Sequence, residues 1–226
     1  TLERSKKVME QFYQNNTDKN LNKWKHYFDI YEENFSRYRG KKITVLEIGV
    51  FRGGSLKMWQ NYFGEQINLI GIDIDPSCKK FEEKNIKIYI GDQTDEKFLL
   101  SVLNDNEKPE IIIDDGGHTS NQQISSFNIL YEYLKNNGIY LVEDTHTSYS
   151  SDFQDRDDKL TFTEYAKALS DELNDWYRVK HYKSYKKKID NVDVSYWAKN
   201  IFKISFYNSI IAISKKESEI PISMIK

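Results

Sequence analysis

Five short apolar runs constrain this chain more than any other feature: residues 43–48, 68–73, 86–90, 110–114 and 139–143. Each is strand-length, and each gives way to polar, acidic or glycine residues. Segments with helical character separate them at 54–63, 76–84, 94–104 and 119–136. Strands buried on both faces read as continuous Val/Ile/Leu runs rather than as alternating ones. The alternation therefore predicts an α/β fold with a parallel sheet and right-handed crossovers. In such sheets ligands bind beyond the carboxyl ends of the strands, so the residues ending each run are the first candidates for chemistry.

The chain's 226 residues suffice for one α/β domain with an appendage. Upstream of the first run, residues 2–14 read as a short helix carrying Leu2, Val8, Met9 and Phe12. Turn chemistry at 15–20 interrupts it. Trp24, Tyr27, Phe28, Tyr31 and Phe35 then follow helical spacing over 22–38, predicting one aromatic face packed on the sheet. After Asp144 the chain turns polar (148–159), a lid candidate that opens near Tyr149. It is then helical (160–177) and basic around Lys183, Lys186, Lys187 and Lys188. That lysine run reads as a solvated loop, with a nucleotide-sugar diphosphate as its functional alternative. Two more strand patterns, 201–206 and 209–214, flank Tyr207-Asn208 and predict an antiparallel hairpin with a two-residue corner. The expected division is a helical segment over 1–40 packing on the core, a catalytic domain over 41–216 and a tail over 217–226.

The net charge of -2 gives no support for a nucleic-acid or membrane partner. No apolar run approaches the roughly 20 residues of a membrane span. Cys78 is the single cysteine, so no intramolecular disulfide can form and a cytoplasmic setting is expected.

The fourth and fifth runs end in Asp114-Asp115-Gly116-Gly117-His118 and in Glu143-Asp144. If these strands are neighbours, only about 5 Å separates them, and Asp115, His118, Glu143 and Asp144 converge. Carboxylates that close either take up protons or hold a cation, and hard cations such as Mg²⁺ favour oxygen ligands. Asp115, Glu143 and Asp144 are the candidate metal ligands, and His118, three residues after Asp115, is the candidate general base. Asp114 faces a cofactor or orients the loop.

The first run leads into Glu47-Ile48-Gly49-Val50-Phe51-Arg52-Gly53-Gly54-Ser55, a glycine-bearing strand-to-helix turn suited to close ligand approach. Phe51 stands where the dinucleotide fingerprint places its second glycine, which disfavours a dinucleotide-dependent oxidoreductase. The second run ends in Gly71-Ile72-Asp73, where an acid can accept from ribose hydroxyls. Gly91-Asp92 follows the third, where a carboxylate can take an adenine amino group.

With these residues the chain resembles the class I S-adenosylmethionine-dependent methyltransferases. More narrowly, it resembles the metal-dependent sugar O-methyltransferases that tailor macrolides and related glycosides, together with the cephalosporin hydroxylase-like group. The resemblance rests on Val45 to Val50, Gly53-Gly54-Ser55, Gly71-Ile72-Asp73, Asp114 to His118, Glu143-Asp144 with Thr147-Ser148-Tyr149, Phe206 to Ser209 and the Thr17-Asp18-Lys19 element. It implies a Rossmann-like seven-stranded mixed sheet with a terminal antiparallel hairpin and helices on both faces. It also implies S-adenosylmethionine at the glycine-rich edge, with Glu47, Gly49, Ser55, Asp73, Asp92 and Asp114 as cofactor residues, and Mg²⁺ or Mn²⁺ at the acidic site. The expected acceptor is a sugar or nucleotide-sugar hydroxyl, and a homo-oligomer is expected. Gly117 and His146 depart from the pattern, where serine and a neutral polar residue are usual.

Overall fold

The computed structural model describes residues 2–18, 20–178 and 194–224, with side chains described from Val8 onward. Seven strands form one sheet: β1 (Ile43–Ile48), β2 (Ile67–Asp73), β3 (Ile86–Ile90), β4 (Ile111–Asp114), β5 (Ile139–Val142), β6 (Ile201–Phe206) and β7 (Ile211–Lys215). Their order across the sheet is β3-β2-β1-β4-β5-β7-β6. The first five run parallel, β7 lies antiparallel to β5, and β6 is antiparallel to β7. The α/β alternation and the closing hairpin thus take the predicted form. The order reverses direction at β1 and β4, so their carboxyl ends flank the crevice where such sheets bind ligands.

Both faces of the sheet are buried, and the period-2 pleat divides its apolar residues between two clusters. Val45, Leu69, Ile111, Ile113 and Leu141 pack with helices α1 (Leu2–Asn15), α2 (Tyr27–Phe35) and α3 (Gly54–Phe63). Leu46, Ile70, Ile112, Tyr140 and Val142 pack with α4 (Glu96–Asn104), α5 (Ser120–Leu130) and α6 (Phe162–Glu172). Local sequence fixes the helix starts. Asp95 caps α4 by accepting from the Phe98 amide, and Thr119 and Gln122 close a reciprocal capping box on α5. Among the described residues no helix is long and apolar enough to cross a membrane.

Three local expectations need correction. The aromatic helix begins at Tyr27, and residues 20–24 have no regular structure, with Asn20 and Leu21 lying against the start of α3. A Cβ on Gly54 would lie 2.4 Å from the Asn20 carbonyl oxygen, so that approach depends on glycine. Trp24 consequently leaves the core and is 57% exposed, while Tyr27, Phe28, Tyr31 and Phe35 are buried. The segment expected as a helix over 76–84 is a 3-10 turn, Pro76–Phe81, opened by the Asp75 side chain accepting from the Ser77 amide. The hairpin corner spans four residues rather than two. It is closed by the Tyr207 amide donating to the Ile210 carbonyl at 2.8 Å, with Ser209 left-handed at φ 66°.

Phe127 joins α5 to the sheet and to the segment preceding β6, with ring centroids 5.1 Å from Tyr140 and 5.4 Å from Trp197. Its side chain is fully buried. Phe127→Ala should cost about 3–5 kcal/mol of unfolding free energy, read as a lower denaturation midpoint in urea.

Candidate functional site

The chain leaves β1 through Gly49 in the left-handed region at φ 94°, its amide donating to the Ile72 carbonyl at 2.8 Å. A Cβ there would sit 2.0 Å from the Asp115 carbonyl oxygen. The turns after β1 and β4 therefore touch only because residue 49 is glycine. A cavity of about 400 Å³ opens at this point; along the strand order, Phe51, Asp73 and Asp92 line it from the β1–β3 end of the sheet edge and Asp115, His118 and Asp144 from the β4–β5 end, with Gly49 where the two meet.

At the first end, Asp73 Oδ2 accepts from the amides of Val50 and Phe51 at 2.8 and 2.9 Å. Its Oδ1 accepts from the Asp75 amide at 2.9 Å. The carboxylate thus fixes the glycine turn of β1 while standing in the cavity wall. Asp92 likewise lines the cavity, its Oδ1 accepting from the Thr94 amide and hydroxyl at 2.7 and 2.8 Å.

The pairing of β4 with β5 brings the acidic strand ends together, as their neighbourhood predicts. Asp115 Oδ1 and Asp144 Oδ2 lie 3.9 Å and 3.6 Å from His118 Nε2. These three side chains form a half-buried cluster whose ligand atoms fall within 4.8 Å of one another. Backbone geometry holds them: His118 is left-handed at φ 61° and Asp144 at φ 52°. The Thr147 hydroxyl donates to the His118 carbonyl at 2.9 Å, and Tyr27 donates to Asp144 Oδ1 at 2.5 Å. His118 Nδ1 is buried with no hydrogen-bond partner among the described residues.

Glu143, the third expected metal ligand, stands outside this cluster. It is 1% exposed, and both carboxylate oxygens are engaged: Lys23 Nζ donates to Oε2 at 2.8 Å and Tyr31 to Oε1 at 2.7 Å. Lys23, whose side chain is 2% exposed, also donates to Asp115 Oδ2 at 2.5 Å. Burial opposes the lysine's charge, but Asp115 and Glu143, with Glu47 behind them, outweigh burial and hold its pKa far above the ordinary range. Glu143 is pushed upward by burial and by Asp115, with Lys23 acting in the opposite sense.

Glu47, Ser55 and Asp114 are not among the residues that line the cavity. Glu47 shares the β1 face of Val45 and accepts from Ser55 Oγ at 2.8 Å and Trp59 Nε1 at 3.0 Å. Asp114 points to the opposite face, accepting from Ser126 Oγ at 2.5 Å and Gln93 Nε2 at 3.1 Å. Burial raises the pKa of Asp114 and takes that of Glu47 up to about 7, the latter against Lys23 and the hydrogen bonds it accepts. Both carboxylates thus bond to side chains of the helix layers, and neither is among the residues lining the cavity.

Several functional positions carried no local sequence signal. Lys23, Asn22, Gln93 and Tyr31 reach the site from segments distant in sequence. Gln93 Oε1 accepts from the Gly117 amide at 2.9 Å, tying the turn after β3 to the His118 loop. His146 meets Ser209 Oγ at 2.5 Å through Nδ1, stands 3.8 Å from Asp144 and has Trp24 edge-on at 6.2 Å. The polar stretch 148–159 is anchored to α5 where Asp155 accepts from the Asn121 amide. The lysines at 183–188, and Lys19 of the Thr17-Asp18-Lys19 element, lie outside the described residues.

The raised pKa of Glu47 predicts a pH dependence of stability. The folded protein retains this proton more strongly than the unfolded chain, so the contribution is fully present below the ordinary 4.5 and is lost as pH rises through about 7. Glu47→Gln should flatten the fall in Tm between these limits relative to wild type, as checked by thermal melts across the series.

No family model matches the chain. It is 35% identical over 133 residues to an 8-demethyl-8-(2-methoxy-alpha-L-rhamnosyl)-tetracenomycin-C 3'-O-methyltransferase of Streptomyces olivaceus, a match covering 56% of this chain and 34% of that one. It is 34% identical over 157 residues to the 8-demethyl-8-alpha-L-rhamnosyl tetracenomycin-C 2'-O-methyltransferase of the same organism, covering 66% and 41%. The mycinamicin VI 2''-O-methyltransferase of Micromonospora griseorubida is 34% identical over 126 residues, covering 53% and 31%. The chain thus spans well under half the length of these relatives. Among solved structures, MycE methyltransferase in complex with Mg, SAH and mycinamycin VI superposes with a TM-score of 0.76 at 24% identity, over 94% of this chain and 53% of that one. A MycE complex with Mg and SAH gives 0.74 at 25% identity, covering 94% and 54%. The fold is that of the class I methyltransferases, and its relatives in sequence are sugar O-methyltransferases.

Proposed function

We propose that this chain transfers a methyl group from S-adenosylmethionine to a sugar hydroxyl, with Mg²⁺ or Mn²⁺ at the acidic end of its cavity. One observation carries the reading. His118 Nε2 faces Asp115 Oδ1 and Asp144 Oδ2 in a cavity that Asp73 and Asp92 also line, from the turns of β2 and β3 on the far side of β1. The similarity to sugar O-methyltransferases, and the MycE complexes with Mg and SAH, support the same assignment.

The donor set suits a hard cation: two carboxylate oxygens converge at an open cavity, and Mg²⁺ commonly takes one or two carboxylates and keeps its other positions for water or substrate oxygens. Asp115 and Asp144 would hold the ion, which would supply a lowered pKa and a fixed orientation for the acceptor hydroxyl. The remaining work falls to the chain. Gly49 leaves room for the donor at the β1 turn, and Asp73 and Asp92 offer acceptors to its ribose and adenine. Meeting those groups requires Asp73 to share its oxygens with the Val50 and Phe51 amides it already holds. His118 takes the proton that the acceptor loses as its oxygen displaces the sulfur, and Thr147 holds the loop that aims the imidazole. Tyr27 keeps Asp144 Oδ1 occupied, so its Oδ2 turns toward the cavity.

Incubation with S-adenosylmethionine and a panel of sugar nucleotides and glycosides should yield a product heavier by one methyl; a panel unchanged by mass would overturn the acceptor class. S-adenosylmethionine should bind without metal whereas turnover needs Mg²⁺ or Mn²⁺, so activity surviving thorough chelation would remove the metal from the mechanism. His118→Ala should lower turnover by about 10²–10⁴-fold with donor affinity retained in calorimetry. Asp73→Ala should weaken donor binding and leave Mn²⁺ affinity nearly intact. Equal loss of both would contradict a two-ended cavity.

A further inference from the structure

We infer that Lys23 sets how strongly the acidic site holds its cation, by withdrawing Glu143 from the set of available ligands. The inference rests on the metal reading above and specifies which carboxylates serve it.

Three carboxylates arrive at the ends of β4 and β5, yet the side chains whose ligand atoms gather within 4.8 Å are Asp115, His118 and Asp144. Glu143 is absent from that group because Lys23 and Tyr31 take its two oxygens. The lysine is no surface group that happens to swing inward. Its side chain is 2% exposed, and it projects from the irregular segment whose Asn20 and Leu21 lie against the start of α3 at Gly54. The neighbouring Asn22 lines the cavity, and Trp24 on the other side faces solvent, so the backbone directs residue 23 beneath the acids. From there its ammonium also takes Asp115 Oδ2, while Asp115 Oδ1 faces His118.

Two consequences work in the same direction. A fixed positive charge bonded to one ligand residue repels a cation bound to that residue's other oxygen. An ammonium–carboxylate pair also removes a third negative ligand that would otherwise tighten the site. The result is a two-carboxylate site from which the ion can exchange, leaving positions for acceptor oxygens. Lys23 is thus a positioning residue that acts through Asp115 and Glu143. Removing it should strengthen metal binding, whereas loss of a merely structural lysine would loosen the site and weaken it.

The test is Mn²⁺ binding to the full chain without donor or acceptor, followed by the electron paramagnetic resonance signal of free Mn²⁺. Lys23→Met should bind Mn²⁺ roughly tenfold or more tightly than wild type, within the range by which outer-sphere partners tune metal sites. The Lys23→Met/Glu143→Gln double variant should return to within about threefold of wild type, because it removes the freed ligand together with the lysine. Thermal melts check that each variant is folded, and Lys23→Gln serves in place of the methionine if that variant does not fold. Unchanged or weaker affinity in the single variant would overturn the inference while leaving the metal reading intact, provided wild type binds Mn²⁺. A double variant as tight as the single one would overturn the role given to Glu143. No Mn²⁺ binding by wild type or any variant would end the metal reading and the inference with it.

Discussion

Charge compensation at the ends of two adjacent strands is the constraint on which the rest of this structure depends. The β4–β5 pairing forces Asp115, Glu143 and Asp144 into one region at the carboxyl edge of the sheet. Unneutralised charges in such a place cost several kcal/mol each. The fold answers with one buried ammonium and two tyrosine hydroxyls, all from the segment preceding the sheet. That segment is therefore part of the site, although it lies outside the strand-helix alternation.

The same requirement explains how the two ends of the chain meet. Tyr27 bonds Asp144 and also reaches Ser209 in the hairpin turn, and His26 contacts the Asn208 carbonyl at 3.0 Å. The Thr145 amide donates to the Ser209 carbonyl at 3.0 Å. The four-residue corner between β6 and β7 thus acts as a strut beside the acidic cluster, tied both to α2 and to the turn after β5. A tighter two-residue turn would match the strand pattern equally well and would lack the left-handed Ser209 that bonds both.

What the sequence made legible follows from the range of the interactions involved. β1 is read to the residue because it is buried along its whole length, and β3 because Ile86, Ile88 and Ile90 alternate with Lys87 and Tyr89, both local properties. The Asp115–His118 spacing and its proximity to Asp144 are legible for the same reason, once the two strands are placed side by side. Lys23 is not, because its partners lie 92 and 120 residues away and nothing in the sequence around it departs from a helical aromatic pattern. Lys23 precedes α2, which begins at Tyr27, and its side chain is buried where that of the adjacent Trp24 is exposed.

The position of Glu47 and Asp114 outside the cavity lining was legible in a different way, through the pleat. Glu47 stands two residues after Val45 and so must face α3, where Ser55 and Trp59 provide its donors. Asp114 stands two residues after Ile112 and must face α5, where Ser126 meets it. Asp115 follows the last residue of β4, is released from the pleat and alone of this pair reaches the cavity. Asp73, which ends β2, and Glu143, which follows β5 yet is held by Lys23 and Tyr31, show that position alone does not decide this elsewhere on the edge. At the end of β4, however, one residue separates the carboxylate held in the α5 layer from the one that lines the cavity.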